Sequence, residues 1–179
     1  IRNNDKVGLL LFSDHVELFI PPKKGRTHTL RLIREILFFQ PKGRGTRPGE
    51  ALHYLNRVLT RRAVVFLVSD FQTKPFEREL SVTARRHDLI ALTVGDPHEA
   101  ELPDVGLVAF EDAETGEQVE VNTHDPTVRA AYAHLVRKTH DEWLHLFRRK
   151  RIDSIALETD RDYLPALQNF FRNRERRQR

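Results

Sequence analysis

The amino-acid sequence predicts an α/β fold with a mainly parallel sheet, a doubly wound, Rossmann-like arrangement with helices on both faces. The main observation is that short apolar runs alternate along the chain with segments of helical periodicity. The run 63–68 is uniformly apolar, which is typical of a central strand that is covered on both faces, and 89–94 is another short apolar strand. Strands that are joined through helices in this way take right-handed crossovers.

The first part of the chain predicts a hairpin followed by a helix. Residues 7–12 and 16–20 flank a short polar turn. Pro21 and Pro22 follow the second strand and place it at a sheet edge, because proline cannot donate to a ladder of hydrogen bonds. Apolar residues at helical spacing over 27–39 predict a helix with a broad buried face.

The elements that follow are marked by glycine, proline and aspartate. A glycine-rich loop, 43–46, leads to a second helix that opens at Pro48, since proline suits a first helical turn. In order, we then predict strand 63–68, a helix from Pro75 to about Arg86, strand 89–94, a hairpin of 105–110 with 119–121 around Thr115 and Gly116, a helix from Pro126 to about Arg149 with Asp125 as its cap, strand 152–157 and a last helix capped by Asp162.

Length and composition limit the class of protein. The chain has 179 residues, which suits one core, and we expect a single domain over 1–179. With 39% hydrophobic and 31% charged residues it is too apolar for a disordered chain, and it contains no membrane segment. The absence of cysteine excludes a disulfide scaffold, a thiolate metal site and a cysteine nucleophile, and agrees with a cytoplasmic location.

The positive charge is concentrated at the end of the chain. The formal net charge is +4, and residues 172–179, with five arginines and one glutamate, account for all of it. The rest of the chain is neutral, which argues against a basic groove spread over the fold. A solvated helix end explains this basic tail, because the helix dipole favours cations there. Binding of nucleic acid through the tail is kept as an alternative.

Carboxylates follow the ends of several predicted strands. Asp14, Asp70 and Asp96 each come after a small or hydroxylated residue at such an end. In parallel sheets these ends border the ligand crevice, and carboxylate and hydroxyl oxygens suit a hard cation such as Mg²⁺. Capping of the next turn is the simpler explanation for Asp14 and Asp96. Asp70 ends the most apolar strand, where an unpaired carboxylate is costly, and is therefore the stronger candidate.

Two of these segments resemble a known cation site. GRGT at 43–46 before a helix, and VSDF at 68–71 at the end of an apolar strand, resemble the second and third parts of the metal-ion-dependent adhesion site of von Willebrand factor A domains. A longer series of motifs is similar to the bacterial family called domain of unknown function 58, over nearly the whole chain. In order, the motifs are NNDKVGLLLFSD, FIPPKKGR, GRGT, LNRVL, VVFLVSDF, ARRHD, LPDVGLV, EDAETGE and TDRDYLPAL.

The resemblance implies a von Willebrand A-like fold in which Thr46 and Asp70 contribute to a site for Mg²⁺ or Mn²⁺. The main ligands of such a site come from an Asp-x-Ser-x-Ser loop after the first strand, and this sequence contains no such loop. We therefore expect an incomplete site whose remaining ligands lie upstream of Ile1. Arg47 replaces the acidic or polar residue usual after the threonine, and its charge disfavours a bound cation.

The beginning of the chain is consistent with that expectation. The sequence contains no methionine and begins at Ile1 with residues that resemble the end of a helix. We expect a truncated domain, incomplete at the amino end, that binds little or no metal. Another segment or another copy of the chain would fill the gap in its sheet.

The leading functional hypothesis is a protein-interaction module that, when intact, uses the cation to capture an acidic side chain of a partner. The resemblance implies a MoxR-type AAA+ ATPase as the partner, in the assembly or activation of other proteins. We expect no enzymatic activity, since the glycine-rich loop lacks the lysine of a P-loop and no catalytic constellation stands out. A metal-dependent phosphoester hydrolase using two or more of Asp14, Asp70 and Asp96 is the alternative enzyme, beside the nucleic-acid binder. The parent protein could be anchored to a membrane through its missing amino end.

Overall fold

The chain divides after Thr60 into two units, each with its own strands and helices. A computed structural model describes residues 5–111 and 116–178. The first unit contains the described residues up to Thr60 together with Gly116, and the second contains those from Arg61 to Glu111 and from Glu117 onwards. The single domain expected over 1–179 stays a prediction, and its two limits, Ile1 and Arg179, lie outside the described residues.

The first unit is an antiparallel hairpin with two helices. Its elements are β1 (Val7–Phe12), β2 (Val16–Lys23), α1 (Arg26–Phe38) and α2 (Pro48–Val58). The predicted hairpin is confirmed, but β2 continues through Pro21 and Pro22 instead of ending before them. The strand tolerates both prolines because, among the described residues, it pairs with β1 on one side only, and the register shifts beside them.

Helix α1 does not bury the broad face that its sequence predicts. Leu32 is buried, whereas five other apolar residues of the helix are exposed. These are Leu30, Ile33, Ile36, Leu37 and Phe38. The difference arises because α1 rests mainly on β1, so that much of its apolar stripe has no cover among the described residues of this unit.

The second unit is built on a parallel sheet. Its elements are β3 (Val64–Ser69), α3 (Glu77–Arg86), β4 (Asp88–Gly95), α4 (Pro97–Ala100), β5 (Leu107–Glu111), β6 (Gln118–Asn122), α5 (Pro126–Lys150), β7 (Asp153–Glu158) and α6 (Tyr163–Gln178). The strands β3, β4 and β7 pair in that order and are all parallel, and β5 and β6 form a separate antiparallel hairpin. The predicted α/β class with parallel strands is confirmed. The turn predicted at Thr115 lies outside the described residues.

Three helices, α3, α5 and α6, pack against the parallel sheet. The central strand β4 is buried, with Ile90 and Ala91 at 0% exposure. Helices α3 and α5 pack against β4, β7 and each other. Helix α6 packs on β7 and reaches β3 through an edge contact of Phe171 with Phe66. None of the described helices combines the length with the apolar composition that crossing a bilayer requires.

The predicted caps of the two last helices are confirmed. A carboxylate oxygen of Asp125 accepts a hydrogen bond from the backbone N–H of Thr127 at 2.8 Å, and α5 begins with Pro126. Asp162 accepts in the same way from Leu164 at 2.9 Å. Local sequence signals therefore determine where these helices begin.

His87 is a buried polar residue at the end of α3. Its exposed fraction is 2%, and neither ring nitrogen has a hydrogen-bond partner among the described residues. Burial, and then the positive charges of Arg86 and Arg62, lower the pKa of His87 below its ordinary value of 6.5. The folded second unit therefore holds a neutral imidazole.

We expect the stability of the second unit to fall in acid because of His87. In the unfolded chain this residue binds a proton below about pH 6.5, whereas in the folded unit it stays neutral to a lower pH. The contribution of His87 to the free energy of unfolding is therefore fully present above about pH 6.5 and is lost as the pH falls through the lower pKa of the folded unit. The variant His87→Leu should lose less stability between pH 7 and pH 5. Urea unfolding followed by the fluorescence of Trp143, the one tryptophan of the chain, measures it.

A matched control for this titration is His145→Gln, which changes an exposed histidine of the same unit. This variant should keep the acid loss of the unaltered chain. An equal acid loss in His87→Leu and the unaltered chain would contradict the assignment.

Candidate functional site

Asp70 lies in a tight turn directly after β3. One of its carboxylate oxygens, Oδ1, accepts a hydrogen bond from the backbone N–H of Gln72 at 3.1 Å. The hydroxyl of Ser69 accepts one from the backbone N–H of Phe71 at 3.0 Å and lies 3.4 Å from the same carboxylate oxygen. Asp70 itself is exposed, so the turn presents a carboxylate to solvent at the carboxyl end of the sheet.

Phe71 fixes the backbone of that turn. It has a φ of 57°, in the left-handed region that side chains other than glycine rarely adopt, and only 2% of it is exposed. Its ring packs 5.0 Å from the ring of Trp143 and 5.2 Å from that of Phe147, measured between centroids. A strained conformation of this kind costs on the order of 1–3 kcal/mol and persists only where the surroundings hold it, here the aromatic packing. The position of the Asp70 backbone is therefore set by the core.

Thr46 lies in the loop between α1 and α2, which is attached to the β1–β2 hairpin. The backbone N–H groups of Lys42 and Gly43 donate to Oε1 of Glu17 at 2.9 and 2.8 Å. The backbone N–H of Arg47 donates to the carbonyl oxygen of Ser13 at 2.8 Å. Thr46 is exposed, and its hydroxyl makes no hydrogen bond to any residue that the structure describes. The loop is held on both sides of this free hydroxyl.

Four side chains in and beside the β1–β2 turn form a hydrogen-bonded group, the Glu17 cluster, which consists of Ser13, Asp14 and His15 of the turn and Glu17 of β2. The hydroxyl of Ser13 donates to Oε1 of Glu17 at 2.7 Å. Nδ1 of His15 donates to Oδ1 of Asp14 at 2.6 Å, and its Nε2 lies 3.4 Å from Oε2 of Glu17. The side chain of Glu17 is 4% exposed, so this cluster forms the base under the loop.

The charges of the Glu17 cluster stabilise one another. The pKa of Glu17 is lowered by the N–H of Gly43 first and by the hydroxyl of Ser13 second. The hydrogen bond to Asp14 raises the pKa of His15, and the same bond lowers that of Asp14. The charge of Arg47 also lowers the pKa of Asp14, so this cation acts on a carboxylate of the cluster. The hydrogen bonds of the cluster thus favour ionised carboxylates and a protonated imidazole, and the cluster is suited to fixing the loop.

The sequence-predicted candidates are distributed over both units. Thr46 and Asp14 belong to the first unit, and Asp70 and Asp96 belong to the second. Asp96 caps the short helix α4 by accepting from the backbone N–H of His98 at 2.9 Å, which confirms the capping interpretation. The carboxylate of Asp14 is hydrogen-bonded to His15, whereas that of Asp70 accepts from the backbone N–H of Gln72, two residues on, as Asp96 accepts from His98.

Thr46 and Asp70 fit a hard divalent cation in the chemistry of their donor atoms. A hydroxyl and a carboxylate, both exposed and both on loops with fixed backbones, are oxygen ligands of the kind that Mg²⁺ takes together with waters. Over residues 5–111 and 116–178, no group of three or more histidine, aspartate and glutamate side chains is arranged to hold a metal. Each residue by itself offers a suitable oxygen, and because the two belong to different units their place in one ligand set stays a prediction.

The other ligands of that set stay a prediction. The sequence analysis expects them upstream of Ile1, and Ile1 itself lies outside the described residues, which begin at Asp5. Neither the described residues nor their contacts test that expectation. The structure therefore describes the surroundings of Thr46 and Asp70 but not the ligands that are expected upstream of Ile1.

The arginines predicted as a basic tail continue helix α6. Arg174 forms a salt bridge with Asp88 at the start of β4, and its Nη1 lies 3.6 Å from Asp153 at the start of β7. Arg177 also approaches Asp153, at 3.5 Å. Two cations of the tail thus face carboxylates of the sheet, which reduces the positive field offered to phosphates.

Sequence reasoning missed Glu17 and Phe71. Glu17 occupies a polar position of an alternating strand, where a carboxylate is usually solvated, and its buried role depends on a loop that follows many residues later. Phe71 directly follows a predicted strand end. A large apolar residue after a Ser-Asp pair is a weak signal for an anchored turn.

Comparisons with known proteins bear on the family. The model of a family described as "Protein of unknown function DUF58" matches residues 1–142. An uncharacterized protein of Mycobacterium tuberculosis is 30% identical over 175 residues, which cover 96% of this chain and 55% of that protein. An uncharacterized protein of Mycobacterium avium is 31% identical over 160 residues, covering 88% of this chain and 94% of that protein. The chain spans about half the length of the M. tuberculosis relative.

One solved structure has a similar fold. The crystal structure of the conserved hypothetical protein BatB from Bacteroides thetaiotaomicron matches with a TM-score of 0.53 and 17% sequence identity. The match covers 98% of this chain and 81% of that one. At this level of identity the likeness concerns the fold alone.

Proposed function

The chain belongs to DUF58, a family of proteins of unknown function, and we propose that it acts there as a protein-interaction module whose binding depends on a divalent cation. In this proposal it performs no chemical reaction of its own. The cation is Mg²⁺ or Mn²⁺, held in part by Thr46 and Asp70, and the captured group is an acidic side chain of a partner protein.

The observation that carries the proposal is the Asp70 turn. An exposed carboxylate at the carboxyl end of a parallel strand is in the region where α/β sheets bind ligands. The left-handed Phe71, held among aromatic rings, gives that carboxylate a fixed position. Strained backbone persists only where the rest of the fold stabilises it, and it is found disproportionately at binding sites.

Thr46 supports the same proposal from the first unit. Its hydroxyl is exposed on a loop that Glu17 and Ser13 hold in place through backbone hydrogen bonds. A bound divalent cation supplies a positive charge that can be shared with a carboxylate of another protein. The part played by this chain is to offer oxygen ligands at fixed positions.

The partner in this proposal is a MoxR-type AAA+ ATPase, and the process is the assembly or activation of other proteins in the cytoplasm. The similarity to the family, rather than any contact within this chain, suggests this partner. Since the chain spans about half the length of the M. tuberculosis relative, the partner and process refer to the whole protein.

We expect Asp70→Asn to abolish cation-dependent capture of the partner. The natural full-length protein is immobilised, and binding of a MoxR-type ATPase is measured by interferometry in Mg²⁺ and then in EDTA. The amide removes the negative charge that attracts the cation but keeps the shape of the turn. Capture should be strong in Mg²⁺ and should be lost both in EDTA and in the variant.

Asp96→Asn is the matched control, since it changes a carboxylate of the same unit that already caps a helix. It should leave capture unchanged. Capture that persists in EDTA and in Asp70→Asn contradicts the dependence on a cation. Turnover of p-nitrophenyl phosphate with Mn²⁺ that disappears in Asp70→Asn would instead favour the hydrolase, and a steep loss of DNA binding with added salt would favour the nucleic-acid binder.

A further inference from the structure

We propose that the amino end of the parallel sheet in the second unit binds an acidic segment of a partner protein. The carboxylates of that segment would pair with cations that the chain places in a regular pattern before its parallel strands. This surface, the basic end, consists of Arg61, Arg62, Arg85, Arg86, Lys150 and Arg151. It lies at the other end of β3 from Asp70, and the inference requires no metal ion.

The same pair of basic residues precedes each parallel strand. The strands β3, β4 and β7 begin at Val64, Asp88 and Asp153. In each case the third residue before the strand is Arg or Lys, and the second is Arg. The strands are parallel, and Val64 pairs with Asp88 in the register of β3 and β4. Since neighbouring strands lie about 4.8 Å apart, the topology brings all three basic pairs to one end of the sheet.

The charges of two of these pairs act on one buried group. Burial first, and then the positive charges of Arg86 and Arg62, lower the pKa of His87. Arg62 precedes β3 and Arg86 precedes β4, so cations from two neighbouring strands reach the same imidazole. Like charges on neighbouring strands repel each other. A bound anionic group would relieve that repulsion.

The carboxylates at this end of the sheet are shared with other cations. Arg174 of α6 forms a salt bridge with Asp88 and also approaches Asp153. Nζ of Lys150 lies 3.3 Å from Oε2 of Glu77, which Arg149 also contacts. These carboxylates therefore do not balance the arginines before the strands, and the basic end keeps an excess of positive charge.

Arg151 occupies a position where another residue would be less strained. It ends α5 with a φ of 55°, in the left-handed region, and it is exposed. Glycine adopts this conformation at the end of a helix without the steric cost that a side chain incurs. The chain thus places a cation before β7 at a conformational cost, which supports a role for the charge itself.

The pattern favours a protein segment over a continuous row of phosphates. Five of the six cations are arginines, whose planar guanidinium matches a carboxylate or a phosphate through two hydrogen bonds. Asp88 and Asp153 begin two of the strands, directly beside the basic pairs. Phosphates of a nucleic acid or a bilayer would bring negative charge against these two carboxylates. An acidic protein segment can instead place glutamate or aspartate at the arginines and neutral residues elsewhere.

The experiment uses the natural full-length protein and a fluorescein-labelled oligoglutamate peptide. Fluorescence anisotropy measures binding in EDTA, so that a cation at Asp70 has no influence on the result. We expect the peptide to bind and its affinity to fall as salt is added, because salt screens exposed charges. An oligoglutamine peptide of the same length should not bind.

Charge reversal locates the site. Arg62→Glu and Arg86→Glu should each raise the dissociation constant about tenfold, whereas Arg62→Gln, which only removes a charge, should cause a smaller loss. Arg161→Glu is the matched control, because it makes the same change at the carboxyl end of β7, where Arg161 is exposed beside Glu158. It should leave the dissociation constant unchanged. Circular dichroism checks that each variant keeps the fold.

His87 provides a second readout of the same site. Bound carboxylates would offset the charges of Arg86 and Arg62, so the pKa of His87 should rise when the peptide binds. A titration of the ring resonances by NMR, with and without the peptide, measures this change. A pKa of His87 that does not move on binding would contradict a site at the basic end.

Three other results would overturn the proposal. The first is that the full-length protein does not bind oligoglutamate, and the second is that Arg161→Glu weakens binding as much as Arg62→Glu. The third is that duplex DNA or phosphatidylglycerol vesicles bind more tightly than oligoglutamate and depend on Arg62, which would identify phosphates as the ligand. None of these affects the proposed function, because its test depends on Mg²⁺ and Asp70. We expect Asp70→Asn to bind oligoglutamate as the natural protein does.

Discussion

Phe71→Ala is expected to destabilise the second unit by about 3–5 kcal/mol, the range for removing a buried aromatic ring. The ring is 2% exposed and packs between Trp143 and Phe147, so its loss leaves a cavity beside two large side chains that cannot collapse fully. Alanine keeps the strain of the left-handed backbone but loses the packing that offsets it. Urea unfolding followed by the fluorescence of Trp143 measures the change in the free energy of unfolding.

The control for Phe71→Ala is Leu135→Ala, which removes an apolar side chain that is 60% exposed on α5. This variant should change the free energy of unfolding by less than about 0.5 kcal/mol. A loss below about 1 kcal/mol in Phe71→Ala would mean that Phe71 does not anchor the Asp70 turn.

Gly43→Ala is expected to release the loop that carries Thr46, at a cost of about 1–3 kcal/mol. A Cβ at Gly43 would lie 2.2 Å from the side-chain oxygens of both Ser13 and Asp14, far inside van der Waals contact. To make room, these side chains must rotate away and break their hydrogen bonds in the Glu17 cluster. Thermal unfolding by circular dichroism measures the stability, and hydrogen exchange at Lys42 and Gly43 reports their bonds to Glu17.

Gly95→Ala is the control for Gly43→Ala, because it replaces a glycine with alanine at a position where the new Cβ meets no other atom. Nothing lies within 4 Å of a Cβ built at Gly95, so this variant should be neutral or slightly stabilising, because alanine restricts the unfolded chain. Unchanged exchange at Lys42 and Gly43 in Gly43→Ala would contradict the role given to the loop. It would also imply that Ser13 and Asp14 move without disturbing Glu17.

The parts of the fold that follow from neighbouring residues could be predicted from sequence. Asp125 and Asp162 cap helices, and their signals lie within a few residues of one another. The apolar run 63–68 predicts the strand β3 without distant information, because consecutive apolar residues with β-branching suit a strand. The central place predicted for it is not found among the described residues, where β3 pairs with β4 alone. Pro48 marks the first turn of α2 for a similar local reason.

What could not be predicted depends on contacts between distant parts of the chain. The buried role of Glu17 arises only when the backbone of residues 42 and 43 arrives beside it. The left-handed φ of Phe71 results from aromatic rings that α5 contributes much later in the sequence. The exposed stripe of α1 is the reverse case, because periodicity indicates which residues share a face but not whether another element covers them. Thr46 and Asp70 were selected by resemblance, and their place in one ligand set stays a prediction.

The salt bridges of Arg174 have a consequence for folding during synthesis. This arginine connects Asp88 and Asp153, two carboxylates that begin neighbouring parallel strands and repel each other until a cation arrives. Protein chains emerge from the ribosome from their amino end, so both strands are made before the cation that balances them. These ion pairs are therefore a late addition to a sheet whose strands already pair through their backbones. They can form only after α6 has been synthesised, so this helix is the element that neutralises the two carboxylates.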